Sequence, residues 1–190
     1  MKMIILIGLN HKTAPLAVRE RLFADCEEEN NLLPEFLAIE GVTEVLFLST
    51  CNRVEVVAVI DDNPETADKL KKALMKKGGL ADDEATCLYI YRDDEAIKHL
   101  FRVTASLDSL VMGEAQILGQ VKEAYRQALA QNSSGVALNR LMHRSFRTAK
   151  RVRTETEISA NPVSVSFAAV ELAKKILGTL TGKKILVVGA

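Results

Sequence analysis

The stretch VLFLSTCNRVEVVAVI, residues 45–60, decides the fold, because two apolar and β-branched runs lie only a few residues apart. Val45–Ser49 and Val54–Ile60 are predicted strands, and runs this close in sequence pair as an antiparallel hairpin. A further apolar strand, Met3–Leu9, precedes them, and a fourth, Cys87–Tyr91, follows. Helical periodicity fills the segments between. The order β-α-β-β-α-β predicts an α+β ferredoxin-like sandwich, with helices on one face of a four-stranded sheet.

After Arg92 the apolar periodicity becomes helical. Three helices are predicted at Glu95–Ala105, Glu114–Ala130 and Leu138–Thr154. An alanine-rich helix at Val165–Leu177 and an aliphatic strand at Lys184–Val188 complete the chain. A strand that is apolar on both faces and ends in glycine is typical of the start of a parallel α/β sheet. One such strand has no sheet to join, so we expect the chain to be cut at the beginning of a second domain.

Composition limits the classes of function. The 190 residues contain 25 Lys and Arg against 25 Asp and Glu, which excludes a basic coat over the whole chain. Hydrophobic residues make up 48% of the chain, enough for a real core. No apolar run is long enough for a signal peptide or a membrane span, and three cysteines are an odd number. We therefore expect a cytoplasmic protein that does not use a membrane.

Cys51 is the candidate nucleophile. It lies between the two hairpin strands, where side chains reach the rim of a sheet, and Arg53 is two residues away. A nearby guanidinium favours the reactive thiolate or holds a substrate carboxylate. Cys26 lies among acidic residues that oppose thiolate formation, and Cys87 is predicted to be a small core residue in the fourth strand. The alternative to a nucleophile is that Cys51 is a turn cysteine without a functional role.

Other polar residues leave more than one interpretation open. His99 lies on a helix among apolar residues, where a structural histidine and a catalytic acid or base are both possible. Cysteine and histidine spacings do not fit zinc, so no metal site is expected. Asp108, Ser109 and Glu114 stand among apolar neighbours and need partners, of which a bound substrate is one. One helix has a basic face, either simply solvated or phosphate-binding: Arg140, Arg144, Arg147, Lys150 and Arg151.

Several motifs, taken together and in order, resemble the glutamyl-tRNA reductase family. They are Gly8–Pro15, Ser49–Arg53, Ser106–Ser109, Gly113–Gln120 and Val163–Ser166. The resemblance implies three regions: a ferredoxin-like catalytic domain at 1–105, a helical extension at 106–157 that completes the substrate site, and a truncated start of an NADPH-binding Rossmann domain at 158–190. The family's protein is longer, so this chain would be its N-terminal catalytic part.

The resemblance also implies a reaction and its residues. Glutamate esterified to tRNA is reduced with NADPH to glutamate-1-semialdehyde for tetrapyrrole synthesis, through a thioester on Cys51. His99 would polarise the substrate or transfer a proton, Arg53 would hold the side-chain carboxylate, and Glu114 would face the α-ammonium. The remaining substrate-binding residues would be Thr50, Asn52, Ser109, Ala115, Gln116 and Gln120, and the nucleotide turn would begin at Gly189 and Ala190. The implied partners are glutamyl-tRNA, glutamate-1-semialdehyde aminomutase and, in the full-length protein, a second copy.

Two other functions fit part of the sequence. A cysteine acyl hydrolase or transferase would use Cys51 without a redox step. A non-catalytic RNA-binding module would use only the basic face of the Leu138–Thr154 helix. Loss of all acyl transfer on substitution of Cys51 separates the enzymes from the binding module.

Overall fold

The computed structural model describes residues 2–28, 32–110, 112–114, 116–159, 165–184 and 186. Within these residues the strands are β1 (Lys2–Asn10), β2 (Val42–Thr50), β3 (Arg53–Asp61) and β4 (Tyr89–Arg92). The α-helices are α1 (Leu16–Glu28), α2 (Leu32–Leu37), α3 (Pro64–Lys77), α4 (Asp93–Thr104), α5 (Gln116–Ala130), α6 (Val136–Glu155) and α7 (Val165–Leu177). Two short 3₁₀ helices lie at Asp83–Cys87 and Glu157–Ser159.

The four strands form one sheet in the order β2-β3-β1-β4, and every neighbouring pair is antiparallel. The mixed α/β architecture with a four-stranded antiparallel sheet is therefore confirmed. β3 and β1 are central, and their apolar, largely β-branched sequences suit that position. Directly opposed residues in the sheet share a face, so the register places Gly8 of β1 between Glu55 of β3 and Tyr89 of β4.

Helices cover both faces of the sheet. β3 is buried from Arg53 to Ile60, which requires cover on either side. Helices α1 and α3 contact β3 and each other, whereas α4, α5 and α6 contact one another and β1 or β2. α4, together with α5 and α6 of the predicted helical extension, forms a second layer of helices on the sheet, and the placement of helices on one face of the β-α-β-β-α-β unit stays a prediction. This second layer of helices encloses the polar residues of β3.

Three local predictions need correction. Cys87 is not within a strand but ends the 3₁₀ helix before β4, where it is half-buried. Lys184 and Leu186 are not in a strand, and the rest of the strand predicted at Lys184–Val188 lies outside the described residues. The predicted nucleotide turn at Gly189 and Ala190 also lies outside them. The division into regions at 105 and 157 stays a prediction.

Helix α7 matches the predicted bounds Val165–Leu177. Its apolar side chains Val170, Leu172, Ile176 and Leu177 are exposed. Among the described residues, no helix combines the length and the apolar character that crossing a lipid bilayer requires.

Candidate active site

Cys51 lies in the tight turn that joins β2 to β3, and it is exposed. The turn is closed by Thr50: its hydroxyl donates to the Arg53 carbonyl oxygen at 3.2 Å and accepts from the Arg53 amide at 3.1 Å. The Thr50 hydroxyl also accepts from the Asn52 amide at 3.2 Å. These bonds close the turn that contains Cys51, and the exposed thiol lies at the rim of the sheet, as the sequence predicts.

The Cys51 turn is tied to the segment that follows β1. Arg19 of α1 donates from Nη1 to the Cys51 carbonyl oxygen at 2.6 Å. The His11 amide donates to the Asn52 carbonyl oxygen at 2.9 Å. The guanidinium bonded to this turn is therefore that of Arg19, which the sequence did not single out.

Arg53 points in the opposite direction, into the protein. Its exposed fraction is 1%, and Nη1 donates to Glu55 Oε1 at 2.8 Å. Nη2 donates to Asp108 Oδ2 at 3.1 Å and also to the Asp108 carbonyl oxygen. The described structure thus joins Arg53 to two carboxylates of its own chain. Its predicted contact with a substrate carboxylate stays a prediction.

Glu55 is the centre of this buried cluster. It is fully buried, and its Oε1 accepts from Arg53, from His99 Nε2 at 2.8 Å and from the Tyr89 hydroxyl. Burial alone would raise the pKa of the Glu55 carboxyl, but the His99 hydrogen bond, the Arg53 charge and Tyr89 together lower it. Glu55 is therefore ionised, and His99 must carry a proton on Nε2 to donate to it. The second oxygen, Oε2, is buried and has no hydrogen-bond partner among the residues that the structure describes.

Gly8 makes room for the Glu55 side chain. A Cβ at this position would lie 2.7 Å from Glu55 Cγ and 2.5 Å from the Val54 carbonyl oxygen. Contacts this short are not tolerated between packed atoms. The glycine that follows the apolar run of β1 is therefore required by the close approach of Val54 and Glu55 on the neighbouring strand.

Asp108 connects the buried cluster to solvent. Its Oδ1 accepts from Lys12, whose side chain is 55% exposed, while Oδ2 accepts from Arg53. Burial would raise the pKa of the Asp108 carboxyl, but the hydrogen bonds from Lys12 and Arg53 lower it. The partners that Asp108 needs are thus supplied within the chain.

A cavity of about 430 Å³ lies over the cluster. His99 lines it and packs at a tilt against two tyrosines, with ring centroids 5.3 Å from Tyr89 and 4.9 Å from Tyr91. Burial, followed by the nearby Glu55 anion, raises the pKa of the Tyr89 hydroxyl, so Tyr89 remains a neutral donor. Cations outnumber carboxylates in the lining, which suits an anionic ligand. The lining residues are Asn10, Lys12, Thr13, Tyr89, Tyr91, Glu95, Lys98, His99, Arg102 and Asp108.

The structure brings some of the predicted site residues together and not others. Thr50 and Asn52 share the Cys51 turn, and His99 joins Arg53 through Glu55. Ser109, Glu114 and Gln120 are half-buried and Gln116 is exposed at the start of α5, but none of these four is among the described residues that line the cavity. Ala115 lies outside the described residues. Cys51 does not line the cavity either, although its turn is bonded to the loop that forms one wall.

Sequence reasoning missed Glu55, Tyr89 and Lys12. Glu55 did leave a signal, since it is the one charged residue between Val54 and Ile60 in a strand that is otherwise apolar. A carboxylate at the centre of a buried strand needs several donors. Tyr89 and Lys12 carry no such signal, because only the sheet register and the loop after β1 bring them to Glu55 and Asp108.

Comparisons with known proteins agree with one another. The family model described as glutamyl-tRNAGlu reductase, N-terminal domain, matches residues 7–156. A glutamyl-tRNA reductase of Syntrophus aciditrophicus is 54% identical over 190 residues, covering 98% of this chain and 45% of that protein. One of Desulfatibacillum aliphaticivorans is 50% identical over 188 residues, covering 98% of this chain and 43% of that protein.

A solved structure gives the same result. Glutamyl-tRNA reductase from Methanopyrus kandleri matches with a TM-score of 0.73 and 35% identity, over 98% of this chain and 43% of that one. The chain therefore spans less than half the length of these relatives.

Proposed function

The chain belongs to the glutamyl-tRNA reductase family, and from this membership we propose that it performs the acyl-transfer half of a glutamyl-tRNA reductase reaction in tetrapyrrole synthesis. The observation that carries the proposal is the exposed thiol of Cys51, on a turn bonded to the wall of a cationic cavity that His99 lines. A nucleophile and a histidine beside one cavity are the parts that acyl transfer needs.

In the proposed step, Sγ of Cys51 attacks the carbonyl carbon of the ester that joins glutamate to the terminal ribose of tRNA. A carbon–sulfur bond forms and the carbon–oxygen bond to the ribose breaks. The thiol proton ends on the ribose hydroxyl, so the step balances without another reactant. The thioester keeps the carbonyl activated for the next step.

His99 is proposed to move this proton or to polarise the carbonyl. Its Nε2 is bonded to Glu55, so the other ring nitrogen, Nδ1, is the one left for substrate. Glu55 thereby sets which nitrogen carries the proton.

The substrate-binding roles proposed for Thr50, Asn52, Ser109, Glu114, Ala115, Gln116 and Gln120 rest on the family resemblance. For Arg53, the structure adds a condition: a substrate carboxylate reaching Nη2 would take the place of Asp108. Lys12, which also binds Asp108, would then hold the displaced carboxylate at the cavity wall.

Bound NADPH would supply the hydride that converts the thioester to glutamate-1-semialdehyde. Its predicted site starts at Gly189 and Ala190, which the structure does not describe. The exposed apolar side chains of α7 suit a helix that packs against further sheet in the longer relatives. We extend to this chain the predicted partners, glutamyl-tRNA, glutamate-1-semialdehyde aminomutase and a second copy in the full-length protein, and the predicted cytoplasmic location.

Mass spectrometry after incubation with glutamyl-tRNA tests the proposal. We expect a glutamyl adduct on the peptide that contains Cys51, and its loss in Cys51→Ser. Cys87→Ser is the matched control, because Cys87 is half-buried at the end of a 3₁₀ helix and should leave the adduct in place. An adduct that persists in Cys51→Ser, or no adduct on the native chain while it still binds the tRNA, would overturn the proposed acyl transfer.

A second measurement separates acyl transfer from reduction. With glutamyl-tRNA and NADPH together, the 190-residue chain should form no semialdehyde above the level of Cys51→Ser. Semialdehyde formation at a higher level would show that this chain already holds the reductase half.

A further inference from the structure

Helices α5 and α6 form a second cavity, of about 610 Å³, whose wall is strongly basic. We call it the basic groove, and it is lined by Leu118, Lys122, Phe146, Arg147, Lys150, Arg153 and Thr154. Four of these seven side chains are cations and none is a carboxylate. In a chain with equal numbers of acidic and basic residues, this is a local concentration of charge.

Three of the four cations that line the basic groove have no acidic partner among the described residues. Within the described part of the chain, Lys122, Arg147 and Lys150 form no ion pair, and all three are exposed. Helix α6 as a whole carries six Lys and Arg against Glu155 alone, and Glu155 is paired with Arg151. The unpaired cations are therefore available to a ligand.

The spacing of these cations follows the helix surface. Arg147 and Lys150 are three residues apart, so their side chains are neighbours about 5–6 Å apart on one face of α6. Lys122 of α5 lines the same groove. Leu118 and Phe146 add apolar surface to its lining. Cations and apolar side chains in one groove fit a polyanion strand that carries flat or apolar groups, as a nucleic acid does.

A membrane surface fits the groove less well. An amphipathic helix that binds lipid inserts an apolar face. The apolar face of α6, which includes Leu138, Leu141, Met142 and Ala149, is already buried against the rest of the protein. Only its charged face remains to bind a partner.

We propose that the basic groove binds the sugar–phosphate backbone of the tRNA, away from the cavity at His99. This inference rests on the proposed function, because the proposed substrate is an RNA. The groove would hold the body of the substrate by charge, while the Cys51 turn receives the acyl end. Such contacts position the nucleic acid without reading its sequence.

Fluorescence anisotropy with labelled, deacylated glutamate tRNA tests the proposal across a KCl series. In the groove variant, K122Q/R147Q/K150Q, we expect binding at least about tenfold weaker at 50 mM KCl. The slope of log affinity against log salt should fall by about three, since each cation removed leaves one phosphate to keep its counterion.

The matched control is K69Q/K72Q/K76Q, which removes the same charge from exposed lysines of α3. The control should bind like the parent protein, and K122R/R147K/K150R, which keeps the charge, should restore binding. Equal weakening in groove variant and control would overturn the proposal, as would tight binding of polyglutamate at the groove, which would indicate an acidic protein partner. Failure of Cys51 acylation in a chain that still binds tRNA through the groove would contradict the proposed function and leave this inference standing.

Discussion

Glu44 and Glu55 are two buried glutamates of the same sheet with different hydrogen-bond donors. Glu44, on β2, accepts from the backbone amides of Gly135 at 3.0 Å, Ala137 at 3.1 Å and Leu138 at 2.7 Å. Glu55, on β3, accepts from the side chains of Arg53, His99 and Tyr89. Glu44 thus caps the start of α6, whereas Glu55 holds groups that line a cavity.

The two glutamates differ in role because one is bound by backbone amides and the other by side chains. Backbone amides at a helix terminus do not titrate and move only with the helix, so the Glu44 contacts serve to attach α6 to the sheet. His99 is a side-chain donor that lines the cavity beside Lys12. In this fold the carboxylate bound by side-chain donors therefore lies beside a cavity, and the carboxylate bound by amides lies where a helix is attached to the sheet.

Replacement of Glu55 should cause the largest loss of stability. Glu55→Ala removes the anion that pairs with a fully buried Arg53, and breaking a buried ion pair costs about 3–5 kcal/mol. Urea unfolding of the variant beside the native chain measures this loss of stability. Glu55→Gln, which keeps the shape, should lose less. A loss below about 1 kcal/mol in Glu55→Ala would show that the cluster does not stabilise the fold.

Substitution of Gly8 tests the space that Glu55 occupies. The added Cβ of Gly8→Ala would overlap Glu55 Cγ and the Val54 carbonyl oxygen, and we expect a loss of about 1–3 kcal/mol in thermal unfolding. Gly119→Ala is the control, since its Cβ would meet no atom within 4 Å. Alanine favours the helix there, so that variant should gain up to about 1 kcal/mol. An equal change in stability in Gly8→Ala and Gly119→Ala would contradict the packing argument.

Removal of the Glu44 cap should affect stability alone. Glu44→Ala leaves the first amides of α6 without their acceptor, which costs about 1–2 kcal/mol. Acylation of Cys51 by glutamyl-tRNA, measured by mass spectrometry, should be unchanged at a temperature where the variant is folded. Loss of acylation in the folded Glu44→Ala variant would contradict the claim that Glu44 has only a structural role.

A falling pH should gradually reduce the stability that the Glu55 cluster contributes to the fold. The folded pKa of Glu55 is lowered from 4.5, so its contribution to stability is fully present above that value and is lost as the pH falls through the folded pKa. One such group changes the unfolding free energy by at most about 1.4 kcal/mol per pH unit. Unfolding measured from pH 6 down to pH 3 should therefore show a flatter curve in Glu55→Gln than in the native chain. Parallel curves would mean that Glu55 is not ionised in the folded state.

The sequence predicted those features that depend on neighbouring residues. The hairpin of β2 and β3 follows from β-branched runs around a polar turn, and the exposure of Cys51 follows from its place in that turn. The bounds of α7 were predicted to the residue, and those of α5 and α6 to within two, because helical periodicity extends over several turns in each.

Features that depend on distant residues were not predicted. Arg53 was expected to face a substrate, but Asp108 lies 55 residues away in sequence, and nothing local shows that the two meet. In the same way, His99 and Glu55 are 44 residues apart and are brought together by the packing of α4 on the sheet. The need of Asp108 for a partner was predictable from its apolar neighbours, but the identity of the partner was not.

The hydrogen bonds that hold His99 in place also connect the central strand of the sheet to α4 and to β4, through Glu55 and Tyr89. The same atoms would therefore serve both the proposed chemistry and the cohesion of the domain. An inactive variant at any of these positions is ambiguous until its melting curve has been recorded at the assay temperature. Screens that score only turnover will count unfolded proteins as catalytic defects.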